Sequence, residues 1–168
     1  MSLPNPEALY EGLRDQIARA FPDTREIGLI GVHSGGAWIA ERLHADLGFA
    51  LPCGFLDSAF YRDDFSERGL KEAPKPPEVP FDVQGRTILL VDDVLYTGRT
   101  TRAIVNHLFD FGRPARIELA VLLDRGGREL PIQASHVGQH LPLKPNESFV
   151  LTRDEQGRFC LDLEVKNN

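Results

Sequence analysis

Ile88-Leu89-Leu90-Val91-Asp92-Asp93-Val94-Leu95-Tyr96-Thr97-Gly98-Arg99-Thr100-Thr101 joins an apolar run to a pair of carboxylates and then to a short polar loop. Ile88 to Val91 have the pattern of a strand covered on both faces. Asp92 and Asp93 follow at its carboxyl end, where open α/β sheets place their ligands. Thr97 to Thr101 supply hydroxyls, a glycine and successive backbone N–H groups at the start of an expected helix, which suits a phosphate. The two halves together describe a site for a phosphorylated sugar with vicinal hydroxyls. The carboxylates accept hydrogen bonds from the hydroxyls, directly or through Mg²⁺, and the loop takes the phosphate. Paired aspartates after an apolar strand also suit a receiver domain, where they hold Mg²⁺. That chemistry has no use for the threonine- and glycine-rich continuation from Val94 to Thr100.

Outward from this segment the chain alternates strands and helices. Asn5 is placed to cap a helix with Pro6 at its first position, and Leu9, Leu13, Ile17 and Phe21 form its apolar stripe. A strand is expected over 27–32. His33, Ser34, Gly35 and Gly36 then form a second small polar loop before a helix over 37–47, so a second anion site follows by the same logic. A third strand is expected over 53–61. Residues 65–80 carry Pro74, Pro76, Pro77 and Pro80 and little core pattern, which reads as a lid or extended arm. The central strand spans 86–91, and the helix after it 99–111 with Ile104, Leu108 and Phe111 on one face. A strand over 117–123, a short one over 134–137 and a hairpin from 149–152 and 160–163 complete the chain. This order predicts a single α/β domain over residues 1–168, with a mostly parallel twisted sheet and helices on both faces.

Composition narrows the function. With 168 residues and a net charge of −6, the chain is not expected to coat nucleic acid non-specifically. Cys53 and Cys160 match no zinc or redox spacing and are expected as reduced thiols. The N-terminus lacks a basic segment followed by an apolar run, and no run approaches the roughly 20 apolar residues of a membrane span. A cytoplasmic protein is expected, with no membrane partner.

Residues 88–100 resemble the signature motif of the type I phosphoribosyltransferases, which bind 5-phosphoribosyl 1-pyrophosphate (PRPP). Tyr61-Arg62-Asp63-Asp64, Gly112-Arg113-Pro114, Leu123-Asp124-Arg125-Gly126 and Arg128-Glu129-Leu130-Pro131-Ile132 are similar to the PyrR family. That family comprises bifunctional pyrimidine-operon attenuation regulators and uracil phosphoribosyltransferases. The resemblance implies the phosphoribosyltransferase fold with a small hood, and association into homodimers or higher oligomers. It implies PRPP, uracil and UMP as ligands, Mg²⁺ as cofactor, and in several members binding of pyrimidine-operon leader RNA. It gives Asp92 and Asp93 the ribose hydroxyls and Mg²⁺, and Val94, Leu95, Tyr96, Thr97, Gly98, Arg99, Thr100 and Thr101 the nucleotide phosphate. His33, Ser34, Gly35 and Gly36 fall at the pyrophosphate loop. Arg62 and Arg125 resemble further contacts on the anion or base side.

Two positions depart from the family pattern. Gly35 stands where many members carry Arg, a cation that would neutralise the leaving pyrophosphate, so turnover is expected to be reduced while ligand binding persists. Gln133 and Gln139 are neutral where RNA-binding members carry basic residues, and Gly127 stands where His is common; Arg128 remains as an RNA candidate. The main expectation is uracil + PRPP → UMP + pyrophosphate in a regulatory protein. The alternatives are a nucleotide-sensing RNA-binding regulator with weak catalysis, or a phosphoribosyltransferase for another base, such as hypoxanthine or orotate.

Overall fold

The computed structural model describes residues 2–61 and 74–167, so Arg62, Lys71 and the first part of the expected 65–80 arm lie outside the described residues. The central sheet is built from β1 (Gly28–Val32), β2 (Gly54–Leu56), β3 (Thr87–Leu95), β4 (Arg116–Asp124) and β5 (His136–His140). These five strands run parallel in the spatial order β2-β1-β3-β4-β5. A separate antiparallel hairpin follows, of β6 (Glu147–Arg153) and β7 (Phe159–Val165).

Side-chain alternation along the strands divides the core between two faces. Leu29, Leu89, Val91 and Leu122 point to the face covered by α1 (Pro6–Ala20), α2 (Gly35–Leu47) and the hairpin. Ile30, Ile88, Leu90 and Val121 point to the other, beneath Ile104 and Leu108 of α3 (Arg99–Leu108). Ile88, Leu89, Leu90 and Val91 are completely buried. At about 1.5–3 kcal/mol each, their burial anchors the strand that carries the two acids.

α1 forms as its sequence requires. Asn5 Oδ1 accepts the N–H groups of Glu7 at 2.9 Å and Ala8 at 3.4 Å, and Leu9, Leu13 and Ile17 are buried. The helix is tied down at both flanks. Gln16 donates to the Val137 carbonyl at 2.8 Å, and Glu7 accepts the Phe159 N–H at 2.9 Å.

Four expected boundaries are corrected. The strand expected over 53–61 shortens to Gly54–Leu56, because β1 pairs only as far as Val32 with Leu56. Asp57 then accepts the Ala59 N–H at 3.0 Å and turns the chain into a short 3₁₀ helix, Ser58–Tyr61. α3 stops at Leu108 rather than 111. Phe109 and Phe111 are exposed and bury no apolar face that would extend the helix, and the amides of Asp110 and Phe111 close tight turns on His107 and Leu108. The strand expected over 134–137 lies at 136–140, set by the register of Ala120 on His136 and Asp124 on His140. β3 runs on to Leu95, well past the expected 91.

The far end of the expected arm is pinned. Phe55 and Glu78 exchange backbone hydrogen bonds of 2.7 and 3.0 Å, and the Lys75 N–H donates to Asp57 at 3.1 Å. This covers the open edge of β2. Among the described residues, no helix is long and apolar enough to cross a membrane.

Candidate active site

β3 loses one neighbour before the other. Its pairing with β1 ends at Val91 opposite Gly31, whereas its pairing with β4 continues to Leu95 opposite Asp124. Asp92 and Asp93 therefore lie within the strand, not beyond it, on the stretch whose β1 flank has opened. Their own backbone orients them: Asp92 Oδ1 accepts the Asp93 N–H and Asp93 Oδ1 the Val94 N–H, both at 2.8 Å.

The N-terminus of α2 fills the opened flank. A Cβ on Gly35 would collide with Asp93 Oδ2 and stand 2.8 Å from Asp93 Cγ, and one on Gly36 would stand 2.8 Å from Asp92 Cα. Only bare backbone fits there. α2 accordingly begins at Gly35, two residues before the expected start, and the loop His33–Gly36 is carried against the acidic pair. The peptide bond between His33 and Ser34 is cis, and the His33 N–H donates to the Leu56 carbonyl at 2.9 Å. Burial, followed by the positive charge of Lys75, pulls the His33 imidazole below its ordinary value against the opposing pull of Asp57, Glu41 and Glu78.

On the far side of the acids, Tyr96 and Thr97 lead into α3. Gly98 caps the helix at φ 92°, a left-handed conformation that an L side chain resists. Thr97 Oγ1 accepts the Arg99 N–H at 3.2 Å, and the Thr97 carbonyl accepts the Glu129 and Leu130 amides at 2.9 and 3.1 Å. The loop is thus braced from outside. The first turn of α3 holds no acidic side chain, so the positive end of its dipole is not offset there. Thr101 is buried and Thr100 half-buried, while Arg99 is exposed and paired with Glu129 at 3.1 Å.

The structure thus brings together His33 to Gly36, Asp92 and Asp93, and Tyr96 to Thr101. It does not bring Arg125 and Arg128 into play as free cations. Arg125 is buried, donating to the Lys144 carbonyl at 2.9 Å and to the Glu147 carbonyl. Arg128 donates to the carbonyls of Ile132 and Tyr96, both at 2.8 Å, and to Asp124 at 2.6 Å. Its donors are turned inward, where they brace the loop 97–101. Asp124, whose sequence context shows only a ligand-side loop, is the hub of that brace. It is 6% exposed, with His140 3.5 Å away as a further partner. An acid ending a buried strand just ahead of two arginines was the available signal.

A parallel sheet with an acidic pair at its carboxyl edge, flanked by two polar helix-entry loops, defines the class of the type I phosphoribosyltransferases. Residues 4–150 match the phosphoribosyl transferase domain family. The chain is 45% identical to the "Bifunctional protein PyrR" of Nitrosococcus oceani over 170 residues, 96% of each chain. It is 47% identical to that of Ralstonia nicotianae over 165 residues, 95% of this chain and 94% of the relative. Among solved structures, a hypoxanthine-guanine phosphoribosyltransferase of Bacillus anthracis superimposes with a TM-score of 0.65 at 22% identity, covering 84% of this chain and 81% of that one. A hypoxanthine phosphoribosyltransferase of Staphylococcus aureus also gives 0.65, at 21% identity over 86% and 79%. These two likenesses speak for the fold alone. The chain belongs to the phosphoribosyl transferase domain family and, within it, to the PyrR family.

Proposed function

We propose that this protein is a pyrimidine-operon regulator that binds PRPP and UMP and catalyses uracil + PRPP → UMP + pyrophosphate. The observation that carries the reading is the seating of two anion-suited loops, 33–36 and 97–101, on either side of Asp92 and Asp93. In this reading the carboxylates accept the ribose hydroxyls, the amides and hydroxyls of 97–101 take the 5′-phosphate, and the loop 33–36 faces the pyrophosphate. The C1–O bond to pyrophosphate breaks with positive charge developing on the ribose; a uracil nitrogen bonds to C1 and gives up its proton, and pyrophosphate departs with the C1–O electron pair. The protein's part is to position the partners and to stabilise charge, with no side-chain nucleophile.

The donor set fits Mg²⁺. Among the described residues no cluster of three His, Cys, Asp or Glu side chains is placed to hold a metal. Mg²⁺ is commonly held by one or two carboxylates together with ligand phosphates, and Asp92 and Asp93 supply those hard oxygens. When bound, the ion would offset the charge of the pyrophosphate.

The regulatory reading with weak catalysis has its own support. The loop 33–36 carries no fixed cation, since Gly35 has no side chain and the His33 imidazole is held below its ordinary value. The RNA half has less, since Arg128 is engaged internally and the chain is net acidic. The family resemblance supports a cytoplasmic homo-oligomer. A filter-binding titration with the organism's own pyrimidine leader RNA, with and without UMP, tests the regulatory half. The catalytic half is tested by UMP synthesis in the Asp92→Asn, Asp93→Asn double variant, which should lose all but a small residue of the wild-type rate. Turnover at the wild-type rate would sink the assignment.

A further inference from the structure

Arg125 is 4% exposed, yet its charge has no carboxylate partner among the described residues. The neighbouring Asp124 is given instead to Arg128 at 2.6 Å and His140 at 3.5 Å. The Arg125 donors go to two backbone carbonyls at the turn before the hairpin, Lys144 and Glu147, and its Nε is buried with no acceptor. Burying a guanidinium without a counter-ion is costly, so such an arrangement needs a reason.

The face of the guanidinium gives one. Its central carbon lies 3.7 Å from the centroid of the Tyr96 ring. Tyr96 joins β3 to the loop 97–101, and its own carbonyl is held by Arg128 at 2.8 Å. Gly127 leaves room beside the ring, where a Cβ would stand 2.9 Å from Tyr96 Cδ1. A planar cation stacked on an aromatic face restrains that ring more tightly than an aliphatic contact of the same size. The stack thus fixes the one side chain that leads directly into the phosphate loop, and anchors it to the chain segment from which β6 begins.

We propose that Arg125 is a positioning residue. Stacked on Tyr96 and fastened to the turn 144–147, it holds the loop 97–101 in its phosphate-binding form and links that loop to the C-terminal hairpin. The inference rests on the reading above that 97–101 takes a ligand's phosphate.

Calorimetry on the full chain with UMP and with uridine tests it, because the two ligands differ only in the phosphate. The readout is the ratio of their affinities. Tyr96→Leu should lower that ratio about tenfold, the scale expected when a binding group is slightly misplaced. Tyr96→Phe, which keeps the ring, should restore it. Arg125→Lys, which keeps the charge but loses the planar stack, should match Tyr96→Leu. The two changes combined should be no worse than either alone, the mark of one shared interaction. If Arg125→Lys does not fold, the two Tyr96 variants decide alone. An unchanged ratio in Tyr96→Leu, or an equal loss for UMP and uridine, would overturn the inference and leave the phosphate site standing. Wild-type protein that binds UMP no better than uridine would instead overturn the reading of that site.

Discussion

The backbone of Gly35 and the carboxylate of Asp93 face each other so closely that a Cβ on Gly35 would stand 2.8 Å from Asp93 Cγ and 2.9 Å from Asp93 Cβ. Asp93 has little freedom to retreat, since its other carboxylate oxygen holds the Val94 N–H at 2.8 Å. The absent side chain at position 35 is therefore a fitting requirement of this site as well as a missing cation. Gly35→Ala and Gly35→Arg should each lower kcat/KM for UMP synthesis by about tenfold or more, as expected for a displaced binding group. The arginine variant should do no better than the alanine variant, because its added charge comes with a displaced Asp93. Initial rates over a range of PRPP concentrations check this, and an arginine variant faster than wild type would contradict it.

Gly98 enters α3 at φ 92°, and a Cβ there would stand 3.0 Å from Ile132 Cβ. Gly98→Ala should cost about 1–3 kcal/mol, from the left-handed backbone together with the contact. Urea unfolding should show an earlier midpoint with an unchanged slope, accompanied by weaker UMP binding. An unchanged midpoint would mean that the loop relaxes freely.

Asp124 gives a pH-dependent signature. Burial would raise its carboxyl above the ordinary 3.8. The Arg128 hydrogen bond, the Gly126 N–H and the charges of Arg128 and His140 outweigh that and hold it lower. Its folded value is thus below its unfolded one, so the stabilisation is complete above 3.8 and is lost as pH falls through the lower folded value. Asp124→Asn should cost about 1–3 kcal/mol at neutral pH, the range for a lost charged hydrogen bond. In urea titrations the gap to wild type should stay level through mildly acidic pH and close below 3.8. A gap that widens on acidification would contradict the pairing.

The two cysteines should separate by reactivity. Burial, followed by the charges of Glu41 and Glu78, pushes the Cys53 thiol up to about 12, while Cys160 is exposed. Only the thiolate alkylates, and at mildly alkaline pH Cys53 would hold roughly one part in 10⁴ as thiolate. Iodoacetamide should therefore modify Cys160 well before Cys53, as peptide mass mapping over time would show. Equal rates would contradict the partial burial of Cys53.

The parts of the site that rest on local pattern are legible in the residues themselves. The apolar run at 88–91, the acids after it and the glycine-bearing loop at 97–101 lie side by side in sequence, and the loop at 33–36 repeats the same strand-to-helix logic. What the sequence hides depends on partners far along the chain. β3 reaches Leu95 only because β4 pairs with it as far as Asp124. The close fit of Gly35 against Asp93 joins residues on separate elements, and residue type alone carries no trace of it. By residue type, Arg125 resembles a contact on the anion or base side and Arg128 an RNA contact. Their donors go to the carbonyls of Tyr96, Ile132, Lys144 and Glu147, and from Arg128 also to the Asp124 carboxylate, partners that only the fold brings within reach.

The most direct measurement of the central claim is the rate of nucleotide formation from PRPP with uracil, hypoxanthine and orotate, in wild type and in the Asp92→Asn, Asp93→Asn double variant. The wild type should form UMP from uracil and little product from the other bases, and the double variant should be about 10³-fold slower, the scale expected when groups that stabilise a transition state are removed. Undiminished UMP formation by the double variant, or a wild type that turns over hypoxanthine or orotate in preference to uracil, would contradict it.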